Sequence, residues 1–299
     1  NTAVGCGALY TNTTAHANTA IGRAALRLNT TGTKNVALGR NALCANTTAN
    51  CNVAVGWQTM CTNTEGHSNT AVGINALFAN TTGDKNVAIG IEALLTNTTA
   101  SENTAVGRRA LRLNTTGHSN VAVGTEALDA NTTGIRNTAV GYQALYAHTE
   151  GSDNVAVGYT ALDNVTTGSD NVAVGNNAGD AITTGTRNTA VGQNAGLSIT
   201  TGTENTIIGR NAGANITTGA DNVLAGHLAG DGITTGSRNM LFGKGTEASA
   251  VDGTDQSAIG NNVTGKGNDT FTTGGANGVF NHNNTTAWQQ TSDRRIKKN

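Results

Sequence analysis

Proline is absent from the 299 residues, and aromatic side chains make up only 3% of them. Without large rings to fill it, the interior of an ordinary globular domain of this length is excluded. Charge is also sparse, 12% of residues, and nearly balanced at 18 basic against 19 acidic groups for a net charge of −1. A field of that size does not attract nucleic acid or an anionic membrane surface. No apolar run reaches the 18 or so residues that a spanning helix needs, so membrane insertion is not expected. The chain begins directly in its repeat, and any export signal is expected outside it. The four cysteines, Cys6, Cys44, Cys51 and Cys61, all precede residue 62 and form neither a metal signature nor a dense disulfide framework. Glycine, by contrast, is abundant at 40 residues.

What is present is a repeat. The pentad Asn-Thr/Val-Ala-Val-Gly starts at Asn1, Asn18 and Asn35 and recurs at that same constant step to Asn239, with a weaker sixteenth copy at Gln256. No insertion interrupts the series, as expected when each unit is one coil of a solenoid and an added residue would spoil the stacking of every later coil. The fold class expected is therefore mainly β, a repetitive β-solenoid or β-roll. Position five of the coil is Gly in all sixteen copies, Gly5 to Gly260, and position fifteen is Gly or Ala in fifteen. Both read as corners, where a positive φ or a close backbone approach excludes larger side chains. Asn at position one reads as a ladder of stacked, hydrogen-bonded amides. The pentad alternates with the period of a strand. Its larger residues at positions two and four, such as Thr19 and Ile21, are expected to face the coil's own core, and Ala at position three to face a partner chain. Because each coil then buries little, two further copies of the chain are expected to share a second core, giving a trimer.

Two coil types follow one another. Position nine is Leu in nine of the first ten coils, from Leu9 to Leu162, and Met60 in the other; it then becomes Gly179, Gly196, Gly213 and Gly230. Position twelve moves the opposite way, from Asn12 through Asn131 to His148 and Val165, and then to Ile182, Ile199, Ile216 and Ile233. One bulky apolar residue per coil is kept while its place changes. The division expected is residues 1–170 with Leu-type coils and 171–272 with Gly/Ile-type coils, degenerate after 239. Stretches such as Glu126-Ala127-Leu128 favour short helical turns in the early coils. The coil outline is expected to change across residues 154–170. Residues 273–291 break the repeat and read as a stalk or cap.

The pentad resembles the coils of YadA-type trimeric autotransporter heads, which implies a left-handed β-roll of three side-by-side chains. The resemblance spans residues 1–272, although the unit here is longer. At the other end, Ser292-Asp293-Arg294-Arg295-Ile296-Lys297-Lys298-Asn299 resembles the opening of the intramolecular chaperone domain, peptidase S74, of phage tail fibres and tailspikes. Ile296 stands where that family usually has Leu. The resemblance implies self-cleavage before Ser292, with Ser292 as nucleophile and Lys297 as its partner. A hydroxyl becomes a nucleophile only beside a base, and a lysine serves as one only when its environment lowers its pKa. Eight residues do not build that environment, so the chain itself is not expected to be an enzyme.

Aromatic and arginine side chains at the variable positions six and ten, Trp57, Phe78, Arg108, Arg112, Tyr142, Tyr146 and Tyr159, are the candidates for contact with a host-cell receptor or glycan. The histidines, among them His16, His67, His118 and His148, read as turn polarity and not as metal ligands; Asp153 and Asp170 read as stacked, solvated acids. Cys44 and Cys61 share position ten of successive coils, and free thiols are expected. No cofactor is implied. The function expected is a structural and adhesive fibre shaft of a phage, virus or contractile injection system, on the virion or cell surface. The alternatives are a bacterial trimeric adhesin head, and an ice-binding or matrix solenoid built on the Thr-Thr rows at positions thirteen and fourteen. With the downstream domain restored, mass spectrometry of the full-length product should find a cut between Thr291 and Ser292, blocked in Ser292→Ala and slowed in Lys297→Ala. An unchanged intact mass, or a cut that survives Ser292→Ala, reduces the motif to coincidence.

Overall fold

The computed structural model describes residues 1–274, 279–282 and 289–290. It divides into two compact units, Asn1–Ala156 and Val157–Asn299. Each is a β-solenoid of stacked 17-residue coils, and no helix occurs among the described residues.

In the first unit each coil contributes one three-residue strand, from Thr2–Val4 to Thr138–Val140. Neighbouring strands pair in parallel in strict register, Thr2 with Thr19, Ala20 with Ala37, Val53 with Thr70. In the second unit the same ladder runs from Val172–Val174 to Ser257–Ile259. Its next strand, Thr270–Thr273, pairs Phe271 with Ser257, so the coil between them is shorter than those before it. Strand Val279–His282 then pairs antiparallel with Thr270–Thr273, and Gln289–Gln290 antiparallel with Val279–Phe280. At this end of the ladder the pairing therefore changes from parallel to antiparallel.

Position five is where the coil turns out of its strand. Gly22 has φ of 132°, and a Cβ there would lie 2.5 Å from the carbonyl oxygen of Gly39 in the next coil. Both the dihedral and the stacking distance exclude a side chain, which accounts for glycine at all sixteen positions.

The strand faces are the reverse of the sequence expectation. Ala20, Ala37, Ala54 and their equivalents are fully buried inside their own coil, while the position-four residues point outward, Ile89 at 39% exposure and Ile208 at 48%. The reason lies in Asn at position one. With a period of two, positions one and three share a face. Asn35 is inside because its Nδ2 donates to the carbonyl oxygen of Ala49 across the coil, at 2.8 Å. Position three must follow it inward, as Ala in most coils and as Ile207, Leu224 and Leu241 in the second unit, and the position-four residues are left outside. The interior is completed by Ala at position eight and by Leu at position nine.

The expected helical turns are absent, and the reason is again at position nine. Leu26, Leu77 and Leu111 have φ of 47°, 52° and 51°, in the left-handed region, and position seven, as at Asn75 and Glu126, also has positive φ. Leucine there costs about 1–2 kcal/mol of backbone strain, set against about 1.5–3 kcal/mol gained by burying its side chain. In the second unit Gly179 and Gly196 take the same conformation, φ of 60° and 58°, without that strain. A Cβ at Gly196 would lie 2.8 Å from Ile199 Cδ1, so the position-twelve isoleucine fills the space that leucine fills elsewhere. The backbone path is common to both types: Leu26 N donates to Ala42 O at 3.0 Å, and Gly179 N to Ala195 O at 2.9 Å. The expected change of backbone outline is therefore an exchange of side chains on one outline.

This arrangement separates two neighbouring substitutions. Ala105→Val forces volume into a filled coil and should lower stability by about 1–3 kcal/mol. Leu111→Ala should cost about 2–5 kcal/mol by leaving a cavity. Denaturant midpoints check both; an Ala105→Val protein as stable as the parent contradicts the inward face.

Candidate functional site

Four hydrogen-bonded columns hold the turns in place and so position whatever the turns display. In the first, the Asn at position one of each coil accepts the backbone N–H of the next Asn on its Oδ1, as in Asn52 to Asn35 and Asn69 to Asn52, at 2.9 and 2.8 Å. A second amide column runs inside the first unit at position twelve: Asn46 Nδ2 donates to Asn29 Oδ1 at 2.8 Å, Asn80 to Asn63 at 2.7 Å and Asn114 to Asn97 at 2.9 Å. Both asparagines of a coil share one acceptor, since Asn46 Nδ2 also reaches Ala49 O at 3.1 Å. At position thirteen the Thr hydroxyls donate to the next coil, Thr30 Oγ1 to Thr47 O at 3.1 Å. At position sixteen a side chain accepts the preceding coil's backbone N–H, as Asn50 Oδ1 does from Thr33 at 2.6 Å and His67 Nδ1 from Asn50 at 2.9 Å. The sequence pointed to the first column and to the Thr row at position thirteen, but not to the other two; the frequent Asn, His, Asp, Ser and Thr at position sixteen were the available signal for the last.

The candidate contact residues lie in two columns on the turn that follows Gly at position five. Trp57, Arg108 and Tyr142 occupy position six in the first unit, and Tyr159 occupies it in the second; Phe78, Arg112 and Tyr146 occupy position ten. Trp57 and Tyr142 are 44% and 43% exposed. In the first unit Arg108 shares a coil with Arg112 and Tyr142 with Tyr146, while Trp57 and Phe78 stand on successive coils.

The two arginines are engaged within the solenoid. Arg112 donates from Nε and Nη2 to both oxygens of Asp129, at 2.8 and 2.9 Å, and the Asp129 side chain is only 5% exposed. That carboxylate raises the pKa of Arg112 further above its ordinary value. Arg108 Nη2 bonds Glu126 Oε1 at 2.6 Å, and Arg109 Nε bonds Glu92 Oε2 at 3.0 Å. Such pairs link successive coils more than they offer charge to a ligand.

Phe78 lines a hollow of about 380 Å³ with Gln58, Asn75, Ala79, Leu95 and Thr96. Asn75 Oδ1, on its wall, has no hydrogen-bond partner. That oxygen is buried, so the hollow offers a ligand a mainly apolar wall.

The acidic and histidine groups depart from expectation. Asp153 is held by Arg136 through two bonds of 2.7 Å, which keep its carboxyl below the usual range, so its column role is an ion pair and not a stack of free acids. Burial, aided by the charge of Asp180, pushes half-buried Asp163 up to about 6. His148 is not turn polarity: it is buried at position twelve, where it ends the amide column. Its Nε2 meets Asn154 Nδ2 at 3.1 Å, while its Nδ1 and Asn131 Oδ1 are without partners. Ser292 and Lys297 lie outside the described residues. Among the described residues no three His, Cys, Asp or Glu side chains come together as a metal site.

No family model, curated protein or solved structure matches this chain. The site is therefore read from its own geometry.

His148 gives that geometry a pH signature. Burial lowers its pKa from 6.5 to about 4, so the folded state holds it neutral while the unfolded chain takes up a proton below pH 6.5. Its contribution is intact above 6.5 and is lost as pH falls toward 4, by about 3 kcal/mol. His148→Asn should remove this loss and give Asn131 Oδ1 a donor. Denaturant midpoints of both proteins at pH 7 and 4.5 should diverge at the lower pH; parallel curves overturn the assignment.

Proposed function

We propose that this chain is a segment of a trimeric attachment fibre, a rigid shaft whose turn face meets a host-cell receptor or glycan. The observation that carries this reading is the outward apolar column at position four, Ile21, Leu38, Ile89, Val123 and Val140 in the first unit and Val174, Ile208 and Ile259 in the second. Aligned exposed branched side chains are an association surface. Because the repeat is in register, a second copy presents the same column at the same spacing, which suits closed symmetric assembly. Three copies is the number implied by the resemblance to YadA-type heads, with the branched residues, not Ala at position three, against the partners.

The exposed aromatics Trp57, Tyr142 and Tyr146 supply the receptor or glycan contact, since aromatic rings stack on apolar sugar faces and dominate protein contacts. The chaperone-like motif at Ser292 favours a fibre over an adhesin head. The ice-binding alternative needs two free hydroxyl columns. The position-thirteen hydroxyls already donate to carbonyls, as in Thr81 to Thr98 O at 3.0 Å, leaving one exposed column at position fourteen.

Sedimentation equilibrium should return three times the chain mass. The variant Ile89→Lys, Val123→Lys, Val140→Lys should return the monomer mass with its β circular-dichroism signal kept, because those side chains lie outside the coil. A monomeric parent protein sinks the proposal.

A further inference from the structure

Cys44 and Cys61 occupy position ten of the third and fourth coils, one full coil apart along the chain. Two backbone hydrogen bonds bracket Cys44 and fix the register there, Leu43 N to Thr59 O and Ala45 N to Cys61 O, both 3.0 Å. Both residues are half-buried with free thiols, and Cys44 lies near enough to Cys61 to raise its pKa. Coils stacked at strand spacing stand about 4.8 Å apart, within the ~4.4–6.8 Å between Cα atoms that a disulfide spans. Cys6 and Cys51 are exposed at positions six and seventeen, in other columns.

We propose that Cys44 and Cys61 form a reversible redox staple that joins two successive coils. The bond is reversible because side chains leaving a parallel ladder in the same direction keep their Cβ atoms farther apart than the ~3.8 Å mean of a relaxed disulfide. A disulfide held away from relaxed geometry has a more oxidising potential and is readily reduced.

The oxidant is a low-molecular-weight disulfide such as oxidised glutathione. Burial, then the neighbouring charge and hydrogen bond of Cys44, push Cys61 up to about 11, so Cys61 is the poorer first nucleophile. The Cys44 thiolate attacks one glutathione sulfur, forming a mixed disulfide and releasing one glutathione thiolate. With Cys44 no longer a thiol, two of the three influences on Cys61 are gone. Its thiolate then attacks the Cys44 sulfur and expels the second glutathione. The two protons from the protein end on the two released thiols, so one disulfide is reduced as one is formed.

The test equilibrates the full chain in a mixture of oxidised and reduced glutathione, quenches it with acid and labels it with N-ethylmaleimide. Intact mass should show two labels, and peptide mapping should place them on Cys6 and Cys51 and find a Cys44–Cys61 cross-linked peptide. Dithiothreitol should restore four labels. Cys61→Ser should trap glutathione on Cys44, and Cys44→Ser should abolish the cross-linked peptide. Amide exchange across the joined turns should slow about tenfold on oxidation. Four labels in the oxidised buffer, a cross-link through Cys6 or Cys51, or unchanged exchange would overturn the proposal.

Discussion

The constraint on which the rest depends is the inward amide of Asn at position one. Its Oδ1 accepts the next coil's backbone N–H, and its Nδ2 crosses the coil to a position-fifteen carbonyl, as Asn52 does to Gly66 at 2.8 Å. Buried polar groups are tolerated only when satisfied, and here one side chain satisfies its own groups while closing the coil and fixing its register to the neighbour. Alternation then places Ala inside and the branched residues outside. The interior is consequently narrow, and the apolar surface that an ordinary sheet would bury faces outward.

A narrow interior sets the terms for everything opposite the strand. In the first unit one large side chain enters each coil from a turn, whereas later coils of the second unit bury two, Ile207 from the strand with Ile216 and Leu224 with Ile233. The Leu-type coils admit it at position nine by accepting a left-handed leucine and reserve position twelve for a second amide column. The Gly/Ile-type coils give up that amide column, relieve the strained residue with glycine and bring the same volume in at position twelve. His148 stands where the first unit's amide column stops, and its two unpartnered neighbours, Nδ1 and Asn131 Oδ1, mark the interrupted pattern. Its neutrality at physiological pH is the chemical expression of that position.

The outer surface of the first unit divides by the same logic into faces with distinct chemistry: an apolar strand face, a turn face carrying Trp57, Tyr142 and the Phe78 hollow, and inter-coil ion pairs such as Arg136 with Asp153. Repetition makes each face a column, so a property of one residue becomes a property of a surface. The paired thiols at Cys44 and Cys61 are the same effect in miniature, since stacking at the period of one coil brings together side chains that the sequence holds apart.

By itself the sequence determined the solenoid, its period, the glycine corners and the Asn column, because each is a repeated local requirement: φ near 130°, no room for a Cβ, an amide at fixed spacing. It also located the Leu-to-Ile exchange, but not its meaning. Hydrophobicity alone puts Val and Ile inside and Ala outside; only the cross-coil reach of Asn35 to Ala49 O decided otherwise. Helix propensity in Glu126-Ala127-Leu128 likewise yielded to a coil that needs positive φ at Glu126 and Leu128. Arg108 and Arg112 read as free contact groups until stacking brought Glu126 and Asp129 beside them. Partners a full coil apart in the chain become neighbours only when coils stack, and tertiary structure alone supplies that distance.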